Sequence, residues 1–199
     1  MPQIDYFFAT ISPYTYLAGS RLEDVAARHG ASITYKPLDP IQLFSRTGGV
    51  HPKDRHPNRQ DYRLMDIERC GKQYNMPVNP KPMFAPTNMA PSSYAIIAAQ
   101  RAGGGDLAGL VQSILRACWA EDKNVAEDDV IRECLVGSGF DAALADAGML
   151  ASAEEYGANL EDAVLQGVFG VPFYITDDGQ KFWGADRIDQ LDAHLAGKL

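Results

Sequence analysis

"IDYFFATISPYTYLAG", residues 4 to 19, decides how the chain begins. Its first half, Ile4 to Ala9, is apolar and aromatic enough for a buried strand. Ser12 then offers a side-chain oxygen to the open N–H groups of a helix start, and Pro13 suits the first helical position, where no N–H is needed. Tyr16, Leu17, Leu22, Val25 and Ala26 form an apolar stripe, which predicts one helix ending at Gly30. "SITYKPL", residues 32 to 38, alternates as a second strand does, and Pro37 and Pro40 close it. The opening is β-α-β around a Ser-Pro corner.

The far end returns to the same style. "SAEEYGANLEDAVLQG", residues 152 to 167, reads as a helix, and "VFGVPFYIT", residues 168 to 176, as a strand entered through Val171-Pro172. Asp178-Gly179 is a hairpin turn, "QKFW" the returning strand, and "ADRIDQLDAHLAGKL" a closing amphipathic helix. Between the two ends no strand signal occurs. A Gly- and Pro-rich stretch, residues 45 to 57, leads to a helical pattern from about Asn58 to Asn75. A proline-broken connection follows, and then four predicted helices lie within residues 92–103, 106–122, 127–139 and 140–149. The order β-α-β, helices, α-β-β-α defines an α/β class, a thioredoxin-like fold interrupted by an all-helical insertion. Residues 1–45 and 157–199 are assigned to the thioredoxin-like domain, and residues 46–156 to the connecting loop and insertion.

The 199 residues are 46% hydrophobic and 22% charged, with a formal net charge of −8. That balance argues against a general nucleic-acid or anionic-membrane partner and leaves room for a local basic patch. No apolar run approaches the roughly 18 residues of a membrane span, and "MPQIDYFF" lacks the basic start of a secretion signal. A cytoplasmic protein is expected. Cys70, Cys118 and Cys134 are odd in number and far apart, so no disulfide framework is indicated. Cys118 and Cys134 continue apolar helical stripes and read as buried thiols. The four histidines show no ligand spacing, and no metal is assigned.

In thioredoxin-like folds the corner after the first strand carries Cys-x-x-Cys; here it reads Ser12-Pro13-Tyr14-Thr15. The positive end of a helix favours an anion there, a thiolate included. Ser12 can donate to a sulfur brought by a ligand but cannot form a disulfide with it, and Thr15 leaves no resolving thiol. Dithiol redox chemistry is excluded at this corner; the plain alternative for Ser12 is an ordinary helix cap. Pro172, entering the strand that faces the corner, is either a cis-proline beside a ligand or a simple strand-edge proline. Asp186 either meets a ligand's ammonium or is a first-turn acid. In "HPKDRHPNRQDYR", residues 51 to 63, Lys53, Arg55, Arg59 and Arg63 outweigh Asp54 and Asp61 by two charges. This is a carboxylate-binding loop or a solvated face. Tyr14, Phe44, Phe84 and Trp119 are candidates for a ring-sized pocket, or for core.

These elements together resemble the 2-hydroxychromene-2-carboxylate isomerases, which stand with the kappa-class glutathione transferases in the DsbA-like branch of the thioredoxin fold. The resemblance rests on the Ser-Pro-Tyr corner, Pro52 with Pro57-x-Arg59-x-x-Tyr62, "WAED", "Y.AN...A...GVFGVP" and "FWGADR", and runs from about Ile4 to Leu195. It implies glutathione as cofactor, a homodimer, and a role in aromatic-compound catabolism. It also implies conversion of 2-hydroxychromene-2-carboxylate to trans-o-hydroxybenzylidenepyruvate, or of a related conjugated ketoacid, by reversible thiolate addition. Ser12 would then face the glutathione sulfur as the catalytic residue. Val171 and Pro172 would meet the cysteinyl backbone, and Ala185 and Asp186 the γ-glutamyl end. Arg59 would stand where the family often has a lysine. Val50 departs from the pattern, because kappa transferases carry an asparagine there. The competing readings are a kappa-like transferase or peroxidase, and a non-catalytic glutathione-binding module.

Overall fold

A computed structural model describes residues 1–199. Four strands form one mixed sheet in the order β2-β1-β3-β4: β1 Gln3–Phe8, β2 Ser32–Pro37, β3 Phe173–Thr176 and β4 Lys181–Trp183. β1 runs parallel to β2 and antiparallel to β3, with Tyr6 beside both Tyr35 and Tyr174. The helices are α1 Pro13–Ala18, α2 Arg21–His29, α3 Pro40–Thr47, α4 Pro57–Gln73, α5 Ala90–Ala102, α6 Leu107–Trp119, α7 Asp128–Gly137, α8 Met149–Leu165 and α9 Ile188–Leu195. Only helices and turns lie between β2 and β3. The chain has the DsbA-like thioredoxin fold, as its element order predicts. None of its helices is long and apolar enough to cross a membrane.

Side chains alternate across a strand, and β1 is covered on both faces. Ile4, Tyr6 and Phe8 enter a cluster of 30 buried residues shared with α1, α2, α5, α6, α7 and α9. Phe7 points the other way, into a smaller cluster with Leu43 of α3, Leu160 and Ala163 of α8, and Phe173 of β3. Asp5 shares that second face. It is tolerated there because Lys36 of β2 reaches it at 2.6 Å and also binds Asp162 of α8 at 2.7 Å.

Three local expectations are corrected. The helix expected from Pro13 to Gly30 is two helices, broken at Gly19, whose φ of 59° suits glycine. The apolar stripe continues across the break because both pieces pack on the same core. Pro40 closes β2 but also starts α3: Asp39 caps that helix, accepting from the N–H groups of Ile41 at 2.8 Å and Gln42 at 3.3 Å. Residues 140–149 give only a 3-10 turn, Ala142–Ala145, before Gly148 at φ 68° opens the much longer α8.

Candidate functional site

The turn after β1 places Ser12 at the N-cap of α1. Its Oγ accepts from the Thr15 N–H at 3.3 Å, and its own proton is donated to no group in the chain. Ser12 is buried apart from a small facet that lines a cavity of about 700 Å³. α1 is only six residues long, so its dipole contributes modestly, and the stronger field comes from charged side chains.

Five cations line that cavity, Lys53, Arg55, Arg59, Arg63 and Lys81, and no carboxylate does. None of the five lies within 4 Å of a carboxylate anywhere in the chain. In a protein of net charge −8 this is a concentrated anion site. It is built by the segment leading into α4, where His56 caps the helix and presents Arg59 and Arg63 four residues apart on one face. Burial and the neighbouring Arg59 hold the Arg55 guanidinium below its ordinary range, and burial does the same to Arg63. Tyr14 lies among these charges. It donates to Asp66 at 2.9 Å, and burial with that carboxylate pushes its pKa up.

The opposite wall comes from the far end of the chain. The Val171-Pro172 peptide is cis, the first of the two readings open for this proline. Val171 lines the cavity and makes no backbone hydrogen bond within the chain, so its N–H and carbonyl are open to an extended ligand. The Gly184 N–H donates to the Pro172 carbonyl at 2.9 Å, which draws the Ala185–Arg187 turn alongside. Phe169 and Trp183 stack edge-on, 4.9 Å between ring centres, over this wall. Gly170 permits it: a Cβ there would sit 2.6 Å from the indole nitrogen.

Ser12, Arg59 and Val171 therefore meet in one cavity, with Pro172 directly behind. Ala185 is buried in the adjoining turn, and Asp186 is exposed, paired with Arg187 at 2.7 Å; neither lines the cavity. Val50, the residue that departs from the kappa-class pattern, does line it. Of the four aromatic candidates, Tyr14, Phe44 and Trp119 are lining residues, whereas Phe84 stands outside. Sequence reasoning missed Phe169, Trp183 and the proline wall Pro80, Pro82 and Pro86. The available signal was local: both aromatics sit beside the glycines of motifs already singled out.

Cys70, Cys118 and Cys134 are all free and none lines the cavity. Burial raises all three thiols, Cys118 to about 12. A thiolate is needed to attack a disulfide. Thiol-dependent insulin reduction by the pure protein is accordingly expected to match the background rate; efficient turnover would contradict this reading of the corner.

A strand, a capped helix and a facing cis-proline around a lined cleft define the thioredoxin-fold proteins, and the model for the "DSBA-like thioredoxin domain" matches residues 3–196. A 2-hydroxychromene-2-carboxylate isomerase of Sphingobium xenophagum is 31% identical over 195 residues, covering 96% of this chain and 97% of that protein. The solved structure of a 2-hydroxychromene-2-carboxylate isomerase superposes with a TM-score of 0.78 at 24% identity, over 98% of this chain and 95% of the other. A kappa-class glutathione transferase of Caenorhabditis elegans is 29% identical over 85 residues, 42% of this chain and 37% of that protein. The chain belongs to the DsbA-like thioredoxin-domain family and, within it, to the 2-hydroxychromene-2-carboxylate isomerases.

Proposed function

We propose that the protein is a glutathione-dependent isomerase acting on 2-hydroxychromene-2-carboxylate or a closely related conjugated aromatic ketoacid. The observation that carries this reading is the cavity that joins a free Ser12 proton, an unpaired Val171 backbone and five unpaired cations. These groups fit glutathione: an extended peptide for Val171, carboxylates for the cations, and a sulfur for Ser12. Bound glutathione supplies a thiolate, a soft nucleophile that adds to a conjugated double bond and leaves again once the resulting single bond has turned.

The protein's own residues set the conditions for that exchange. The Ser12 hydroxyl donates to the sulfur, favouring its ionised form without competing for it as a cysteine would. Val171 orients the cysteinyl unit, and Arg59 holds a carboxylate at the rim. Ala185 and Asp186, one turn from the cis-proline, stand for the γ-glutamyl end; Asp186 would exchange Arg187 for the ligand's ammonium. Trp183, Phe169 and the proline wall shelter the ring of the substrate and exclude water from the charged groups. On this reading the protein works as a homodimer, as the family resemblance implies, and in the cytoplasm, as the sequence reading expects.

An isomerase returns its thiol. With glutathione at one-tenth of the substrate concentration, 2-hydroxychromene-2-carboxylate is expected to reach equilibrium with trans-o-hydroxybenzylidenepyruvate, and free thiol is expected to be unchanged at the end. Conversion that halts when the thiol is consumed would identify a transferase instead. Equal rates with and without glutathione would remove the cofactor from the mechanism.

A further inference from the structure

The five cations do not stand alike. Lys53, Arg59 and Lys81 are exposed at the rim, whereas Arg55 and Arg63 are half-buried. Arg55 uses one N–H to reach the Val50 carbonyl at 2.9 Å, and its guanidinium lies 5.9 Å from the centre of the Phe44 ring. Arg63 makes no hydrogen bond to any group in the chain, although a guanidinium carries five N–H donors. Asp66, three residues further along the same helix, is already engaged by Tyr14 at 2.9 Å and Arg69 at 3.4 Å. Partly desolvated guanidinium donors without acceptors are costly, all five on Arg63 and those of Arg55 beyond its one bond to Val50, and an anion in this cavity would satisfy both.

Resting on the isomerase reading above, we propose that Arg55 and Arg63 form an inner carboxylate subsite for the second substrate, separate from the rim Arg59 that serves glutathione. The two subsites differ in what they suit. The rim is open and polar, which fits a zwitterionic tripeptide. The inner pair is flanked by Tyr14 and Phe44, so a flat aromatic acid can lay its ring on these faces while its carboxylate meets the planar guanidinium forks. The substrate class follows: aryl-conjugated acids that carry an ionised carboxylate, in preference to their neutral esters or amides.

Trp119 and Trp183 both line the cavity, so their fluorescence reports occupancy without any turnover. The probes are trans-cinnamate and trans-cinnamamide, titrated in the absence of glutathione. Wild-type protein is expected to bind the acid at least tenfold more tightly than the amide. Arg63→Met should weaken the acid tenfold or more and leave the amide within twofold, and Arg55→Met should act in the same direction. Arg63→Lys should recover part of the loss, because it restores charge but not the fork. Arg59→Met should alter cinnamate binding less than twofold. Absence of an acid preference in wild type, an equal loss for acid and amide in Arg63→Met, or an equal effect of Arg59→Met and Arg63→Met on the acid would each overturn the proposal. Because no glutathione is present, failure here is distinct from failure of the cofactor reading, which the sub-stoichiometric assay tests.

Discussion

Ser12→Ala is expected to lower turnover roughly a hundred- to a thousandfold, the range for losing one oriented donor to a developing anion, about 2.7–4 kcal/mol. The Ser12 hydroxyl accepts from the Thr15 N–H and donates its own proton to no group in the chain, so alanine removes a free hydroxyl donor from the cavity wall. The same change deletes the cap of α1, which costs about 1 kcal/mol of stability. The two effects separate cleanly. Ser12→Asn keeps a cap and should restore stability while leaving turnover low, whereas Ser12→Thr keeps both functions and should recover much of the rate. Assays well below the melting temperature, with the thiolate absorbance of bound glutathione read in parallel, provide the measurement. Unchanged turnover in Ser12→Ala would take Ser12 out of the mechanism.

The largest effect on stability is expected at Phe8. Its ring is fully buried, stacked 4.7 Å from Tyr6 and edge-on to Tyr35 at 6.3 Å, at the end of β1 just before the corner. Phe8→Ala removes transfer free energy and leaves a cavity that neighbouring rings cannot close, a loss of about 3–5 kcal/mol. For a chain of this size that corresponds to a melting point lower by roughly 6–20 °C. Calorimetry of the purified variant checks it, and a shift below about 2 °C would show that the site relaxes far more than a packed aromatic cluster should.

The elements that could be read from sequence are those whose signals are local and unopposed. β1, the Ser12 cap and the Asp178-Gly179 hairpin each declare themselves within a few residues. α3 was hidden because Pro40 serves two purposes, ending a strand and starting a helix, and only the Asp39 cap separates them. The break at Gly19 was masked by a continuous apolar stripe, since packing on one core constrains both pieces equally. The basic character of the loop before α4 was visible in composition. Its convergence with Val171, Phe169 and Trp183 was not, because more than a hundred residues separate them and only the sheet order brings them together. Phe84 shows the converse: an aromatic in a proline-rich segment suggests a pocket wall, yet here the prolines line the cavity and the ring does not.

The proline wall, residues 80 to 86, is contributed by the connection between α4 and α5, while the Ser12 corner and Val171 belong to the two ends of the chain. Inheritance can therefore act on the two sides separately. Changes in this one short connection reshape one face of the cavity and leave the Ser12 corner untouched, so, on the function proposed above, a lineage could shift its substrate without first losing its chemistry.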